Sequence, residues 1–174
     1  HEMNNFILVD PAFSLAKEAD FTAMDVIGID AWGNLYVRDI VRGKFTEAES
    51  IEHIFRLNEM WHPRQIGIED VVYGKTLGYS LREEMRNRGR YLPLVPVKPG
   101  GRSKEDRIRG LQPLYANAKV FHRKELEYTL WLEEELKTFP FSKNDDIIDA
   151  FSYVLEFLTR PRQRKTEYTG KYLY

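Results

Sequence analysis

The sequence predicts a mixed α/β fold: an antiparallel hairpin at one side of a sheet whose other strands run parallel and are joined by helices. Three observations carry that expectation. Two short strand-like segments, the apolar run at residues 6–9 and residues 65–68, each stop at a carboxylate. Two strand-like segments, the second of them alternating, are separated by turn residues, and stretches of helical period fill the intervals.

The run Phe6-Ile7-Leu8-Val9 ends at Asp10-Pro11, which reads as a buried strand halted by proline. Residues 23–29 and 35–41 flank Asp30-Ala31-Trp32-Gly33-Asn34, a turn-rich pentapeptide, and together make a hairpin. Thr46 with Glu49 is a capping-box pattern, opening a helix with Ile51, Ile54, Phe55 and Leu57 on its apolar face and its end near Trp61-His62-Pro63. Residues 65–68 form the next strand, followed by Glu69-Asp70. A helix over 74–88 stops at Gly89. The strand over 92–97 contains two prolines and so belongs at a sheet edge. A basic helix over 104–115, a brief strand at Val120-Phe121, and helices over 125–137 and 145–158 complete the order.

At 174 residues the chain fits one domain. Hydrophobic residues at 43% and charged residues at 30% suit a globular protein rather than a disordered one. The absence of cysteine excludes disulfides and thiolate metal sites and fits a reducing cytosol. No apolar run approaches the ~20 residues that span a bilayer, and the start has no signal-peptide pattern. His1-Glu2-Met3 reads as a tag remnant, residues 4–159 as the folded domain, and residues 160–174 as a basic tail. The net charge of −1 does not announce a nucleic-acid partner, but the distribution is uneven. Lys98, Arg102, Lys104, Arg107 and Arg109 crowd into one Gly/Pro-marked stretch.

Three acidic positions carry the chemistry. Asp10 and Glu69 each follow a core strand, and ligands of open α/β sheets gather at such strand ends. Asp145-Asp146 and Asp149 open a helix; Asp146 and Asp149, three apart, share a face, while Asn144 or Asp145 can serve as the cap. Hard oxygen donors of this kind suit Mg²⁺ or Mn²⁺. Two ions roughly 3.5–4 Å apart activate a water and stabilise the leaving oxygen of a phosphodiester.

The motifs resemble those of a known family. Phe6–Ala12 followed by Ala19-Asp20-Phe21-Thr22-Ala23, then Ile66-Gly67-Ile68-Glu69-Asp70 with Gly74 and Leu77, then Lys104-Glu105-Asp106-Arg107-Ile108 with Leu111, Pro113 and Val120, and finally Asp145-Asp146-Ile147-Ile148-Asp149-Ala150 are similar, in order, to the nuclease domain of tailed-phage large terminase subunits. The resemblance implies a ribonuclease H-like fold and the DNA-cutting half of a genome-packaging motor. It implies metal ligands at Asp10, Glu69 and Asp146, with Asp145 supplementary and the choice within that pair open. Asp149 and Asp70 would orient the site from behind those ligands. The implied partners are double-stranded DNA, an ATPase domain in the same full-length chain, a small terminase subunit and the capsid portal, in the cytoplasm of an infected host. No phosphate-binding loop of the form G-x-x-x-x-G-K-[ST] occurs, so ATP binding is not expected of this chain.

The basic loop leading into the 104–115 helix, with Arg102, Lys104, Arg107 and Arg109, is expected to contact DNA phosphates without reading sequence. The leading expectation is a two-metal endonuclease of low sequence preference that leaves 3′-hydroxyl and 5′-phosphate ends. A junction resolvase or RNA–DNA hybrid ribonuclease would share the acidic cluster, and a non-catalytic DNA-binding module would share the fold.

Overall fold

A computed structural model describes residues 3–12, 21–70, 77–98, 101–124 and 126–159. Its strands are β1 (Asn4–Asp10), β2 (Thr22–Ile29), β3 (Leu35–Gly43), β4 (Gln65–Glu69), β5 (Leu94–Val97) and β6 (Val120–His122). Its helices are α1 (Glu47–Trp61), α2 (Gly78–Arg88), α3 (Lys104–Arg109), α4 (Gln112–Ala116), α5 (Glu127–Thr138), α6 (Asp146–Ser152) and α7 (Val154–Thr159).

The six strands form one sheet in the order β5-β4-β1-β2-β3-β6. β1, β2 and β3 pair antiparallel, while β4 joins β1, β5 joins β4 and β6 joins β3 in parallel. This is the expected mixed sheet, with β5 at an edge. Pro96 has no N–H to offer, a deficit an edge strand tolerates because it pairs on one side only.

Strand alternation sorts the core into two layers. Ile7, Val9, Met24, Val26, Ile66 and Ile68 face α1 and α2. Phe6, Leu8, Ala23, Ile27 and Leu35 face α3, α5, α6 and α7. A bulge between Val26 and Ile27 places one extra residue in β3, so Val37 and Ile40 both reach the second layer. Between β2 and β3, Asp30 Oδ1 accepts the N–H groups of Trp32 and Asn34, each at 2.9 Å, and Gly33 takes φ +77°.

Helix α1 has the predicted capping box: Thr46 Oγ1 accepts from Glu49 N at 3.2 Å while Glu49 Oε2 accepts from Thr46 N at 2.8 Å. Such a cap contributes about 1 kcal/mol. Burying Ile51, Ile54, Phe55 and Leu57 contributes roughly 1.5–3 kcal/mol each, so the apolar face decides where the helix lies. Gly89, at φ +60°, ends α2 as expected.

Two predicted helices are each divided. The 104–115 helix breaks at Gly110, because Pro113 has no N–H to return to residue 109 and glycine gains little from staying helical. The 145–158 helix tightens at Tyr153, whose N–H goes to Ala150 O at 3.1 Å, three residues back rather than four. The start expected at residue 74, most of the tag-like 1–3 segment, the 99–100 part of the basic loop and the 160–174 tail lie outside the described residues. Among the described residues, no helix is long and apolar enough to cross a membrane.

At the centre of β4, Gly67 has no room for a side chain. An added Cβ would stand 2.8 Å from both Phe157 Cζ and Val97 Cγ2. Gly67→Ala is therefore expected to destabilise the fold by roughly 1–3 kcal/mol. Urea unfolding checks this, and an unchanged midpoint would show that α7 can retreat freely.

Candidate active site

The parallel register of β1 on β4 runs from Phe6 opposite Gln65 to Val9 opposite Ile68. Asp10 and Glu69 are the next residues, so the two strands deliver their terminal carboxylates side by side. By alternation both point to the face covered by α6. Helix α6 packs across β1 and β2 and brings its own acids to the same place.

Asp10 registers this convergence. Its carboxyl is pushed up to about 7, first by burial and then by the negative charges of Asp149 and Glu69; Lys104 and a hydrogen bond from Tyr153 pull the other way. Tyr153 Oη donates to Asp10 Oδ1 at 3.2 Å. The tightened turn between α6 and α7 sits at this same tyrosine. Burial, followed by the charges of Asp10, Asp149 and Glu69, raises the phenol well above its usual range, so it remains a donor.

Asp149 is held by cations. Arg107 Nη2 donates to its Oδ1 at 2.6 Å, and Lys104 Nζ stands 3.5 Å from its Oδ2. Lys104 also donates to Asp145 Oδ1 at 2.7 Å. Burial disfavours both cations, yet both are raised: Lys104 by Asp145 and Asp149, Arg107 by Asp149.

Of the acids expected from sequence, Asp10, Glu69, Asp145 and Asp149 are thus joined through one electrostatic cluster. Asp146, buried at the first turn of α6, acts on Glu135 of α5, whose carboxyl it helps to raise. Asp70 stands outside the cluster, 3.7 Å from Lys98 on the exposed rim. The basic residues divide as well. Lys104 and Arg107 face the carboxylates, Arg109 pairs with Glu105 at 2.5 Å, and Arg102 is exposed.

Sequence reasoning passed over three residues here. Asp25 interrupts an otherwise apolar strand, a signal that was available. It is fully buried and neither carboxylate oxygen has a hydrogen-bond partner among the described residues. Burial, then the charges of Glu135 and Asp10, raises it well above the usual carboxylate range. Glu135 lies in a run of three glutamates and Tyr153 in an apolar helix, and neither context distinguishes them.

Among the described residues, no three carboxylates or imidazoles stand close enough as placed to hold a metal ion. The donor chemistry nevertheless fits a hard divalent cation: Asp10, Glu69 and Asp149 offer only carboxylate oxygens, and Asp10 carries an excess of negative charge around it.

The raised Asp10 has a signed consequence. The folded state keeps its proton up to about pH 7, whereas an unfolded chain releases it near 3.8. The carboxyl therefore favours folding most below pH 4, and that contribution is lost as pH climbs to 7. In chelator-treated protein, Asp10→Asn is expected to stabilise by roughly 1–3 kcal/mol at pH 8 and by little at pH 4. Urea unfolding at both pH values tests this; an equal effect at the two would contradict the crowding of charge around Asp10.

Comparison with known proteins agrees with the architecture. A family model described as "Terminase RNaseH-like domain" matches residues 7–157. The large terminase nuclease from thermophilic phage G20c aligns with TM-score 0.65 and 16% identity, over 89% of this chain and 82% of that one. The HK97 bacteriophage large terminase aligns with TM-score 0.51 and 14% identity, over 70% of this chain but 30% of that one. The yeast mitochondrial Holliday junction resolvase gives TM-score 0.52 and 14% identity, over 86% and 77%. At such identities these structures speak for the ribonuclease H-like fold alone. No curated protein sequence matches the chain. With a family model spanning nearly all of the folded residues, the chain belongs to the terminase RNase H-like domain family.

Proposed function

We propose that this domain is a metal-dependent endonuclease that cuts concatemeric double-stranded viral DNA during genome packaging, with little sequence preference. The observation that carries the reading is the charge coupling of Asp10 to Asp149 and Glu69 at the carboxyl ends of β1 and β4, where Asp10 is raised to about 7 by burial and by these acidic neighbours. Crowded carboxylates are unfavourable without a compensating cation, and divalent ions remove the conflict.

Asp10, Glu69 and Asp149 would hold Mg²⁺ or Mn²⁺, with Asp145 as a supplementary donor. The motif spacing favours Asp146; we prefer Asp149 because its charge acts directly on Asp10, while that of Asp146 acts on Glu135. When bound, a pair of such ions supplies an activated water and charge stabilisation for the leaving oxygen. The chain's own groups do the positioning. Tyr153 orients the Asp10 carboxylate, Arg107 fixes Asp149, and Lys104 holds Asp145 at the rim. Lys104, which pairs with both Asp145 and Asp149, would have to yield there for those carboxylates to serve as metal donors.

Arg102, Lys104 and Arg109 would then face the phosphate backbone. In the full system, the ATPase domain, small subunit and portal would deliver the DNA in the host cytoplasm. The fold also suits junction resolvases, so the substrate has to be tested directly.

Incubation of the domain with supercoiled plasmid, with and without Mn²⁺ or Mg²⁺, should give metal-dependent nicking that Asp10→Ala reduces to the metal-free background. Cleavage confined to four-way junctions or RNA–DNA hybrids would reassign the substrate, and equal activity in the variant would refute the site. Arg102→Ala with Lys104→Ala should weaken DNA binding and flatten its salt dependence by roughly 0.9 log units per lost phosphate contact. An unchanged salt slope would place the DNA elsewhere.

A further inference from the structure

Helix α6 carries Asp146 and Asp149, and the N–H groups of its first turn need acceptors. The residue before the first turn ordinarily supplies one from its own side chain. Asp145 stands there, at φ −142° and ψ 18°, and makes no side-chain cap hydrogen bond. Its carboxylate is turned to Lys104 instead, 2.7 Å away.

The acceptor comes from another helix. Glu135 Oε2, from α5, receives the N–H of Ile147 and of Ile148, each at 3.1 Å. The residue is 3% exposed. Its other oxygen, Oε1, receives Arg42 Nη1 at 3.3 Å. Arg42 lies on β3 opposite Ala23 of β2, which in turn lies opposite Asp10 of β1. The guanidinium also lies over the Phe21 ring, 4.4 Å from its centroid. One buried carboxylate thus joins α5, the start of α6 and the sheet row that ends in Asp10. Burying a carboxylate is costly, and an apolar side chain would fill the space at lower cost. Its presence is explained by what it holds.

We propose that Glu135 is a positioning residue: by capping α6 from outside, it releases the Asp145 carboxylate to the site and sets Asp149 at the level of Asp10. The inference rests on the metal-nuclease reading above. Two substitutions separate reach from charge. Glu135→Gln keeps an oxygen at the same distance and loses the charge; Glu135→Asp keeps the charge and is one methylene too short.

The test is the affinity of the DNA-free domain for Mn²⁺ by titration calorimetry, with circular dichroism as a check on folding and plasmid nicking alongside. Glu135→Gln should bind Mn²⁺ within about threefold of wild type, and Glu135→Asp at least about tenfold more weakly, the range expected when support behind a metal ligand is removed. Wild-type affinity in a folded Glu135→Asp protein, or an equal loss in Glu135→Gln, overturns the proposal. If Glu135→Asp does not fold, Glu135→Met replaces it, because it fills the same space and offers no acceptor to the Ile147 and Ile148 N–H groups. Weakened Mn²⁺ binding in Glu135→Met then supports the proposal, and unchanged binding overturns it. Wild-type protein that neither binds Mn²⁺ nor nicks DNA overturns the nuclease reading as well, whereas active wild type with unaffected variants overturns the positioning role alone.

Discussion

The parallel pairing of β1 with β4 is the constraint from which the rest of the site follows. Two strands that run the same way end at the same edge, and here both end in an acid. Parallel neighbours also require a crossover between them, which this chain makes with the β2–β3 hairpin and α1. The register is set by alternation, with Ile7 and Val9 meeting Ile66 and Ile68 in one core layer. A slip of one residue would turn all of these to the other face and carry Asp10 away with them. Gly67 completes the arrangement by admitting Phe157 and Val97 against β4.

With the carboxylates fixed by strand geometry, electrostatics arranges what surrounds them. Asp149 and Asp145 are neutralised by Arg107 and Lys104, both drawn from α3 against the desolvation that opposes burying a cation. Asp10 lies where burial and the negative neighbours outweigh Lys104, and it holds its proton to about pH 7. Deeper in the seam, burial raises Asp25 well above its usual range, and Glu135 is satisfied by two backbone N–H groups and Arg42. The capping of α6 is delegated to Glu135, and that delegation leaves Asp145 at the site.

Much of this was legible in the sequence wherever the determinant is local. The strand ends at Asp10 and Glu69, the hairpin turn at Asp30, the Thr46–Glu49 box, the Gly89 stop and the edge position of the proline-bearing β5 all follow from nearest neighbours along the chain. The adjacency of Asp10 and Glu69 was conditional on β1 and β4 pairing, which sequence spacing alone does not decide. The divisions at Gly110 and Tyr153 were missed because helical periodicity continues through both. The role of Glu135 was invisible for a different reason: its partners lie 12 and 13 residues away in another helix, and a glutamate among glutamates carries no mark. Likewise, Lys104 and Arg107 look like solvent-facing basic residues until the fold sets Asp145 and Asp149 opposite them.

The central claim is that these strand ends, with α6, form one divalent-metal site. The direct measurement is an anomalous difference map from crystals of the domain grown with Mn²⁺. A manganese peak bounded by the Asp10, Glu69 and Asp149 carboxylates is the predicted result. A map with no peak there would contradict it.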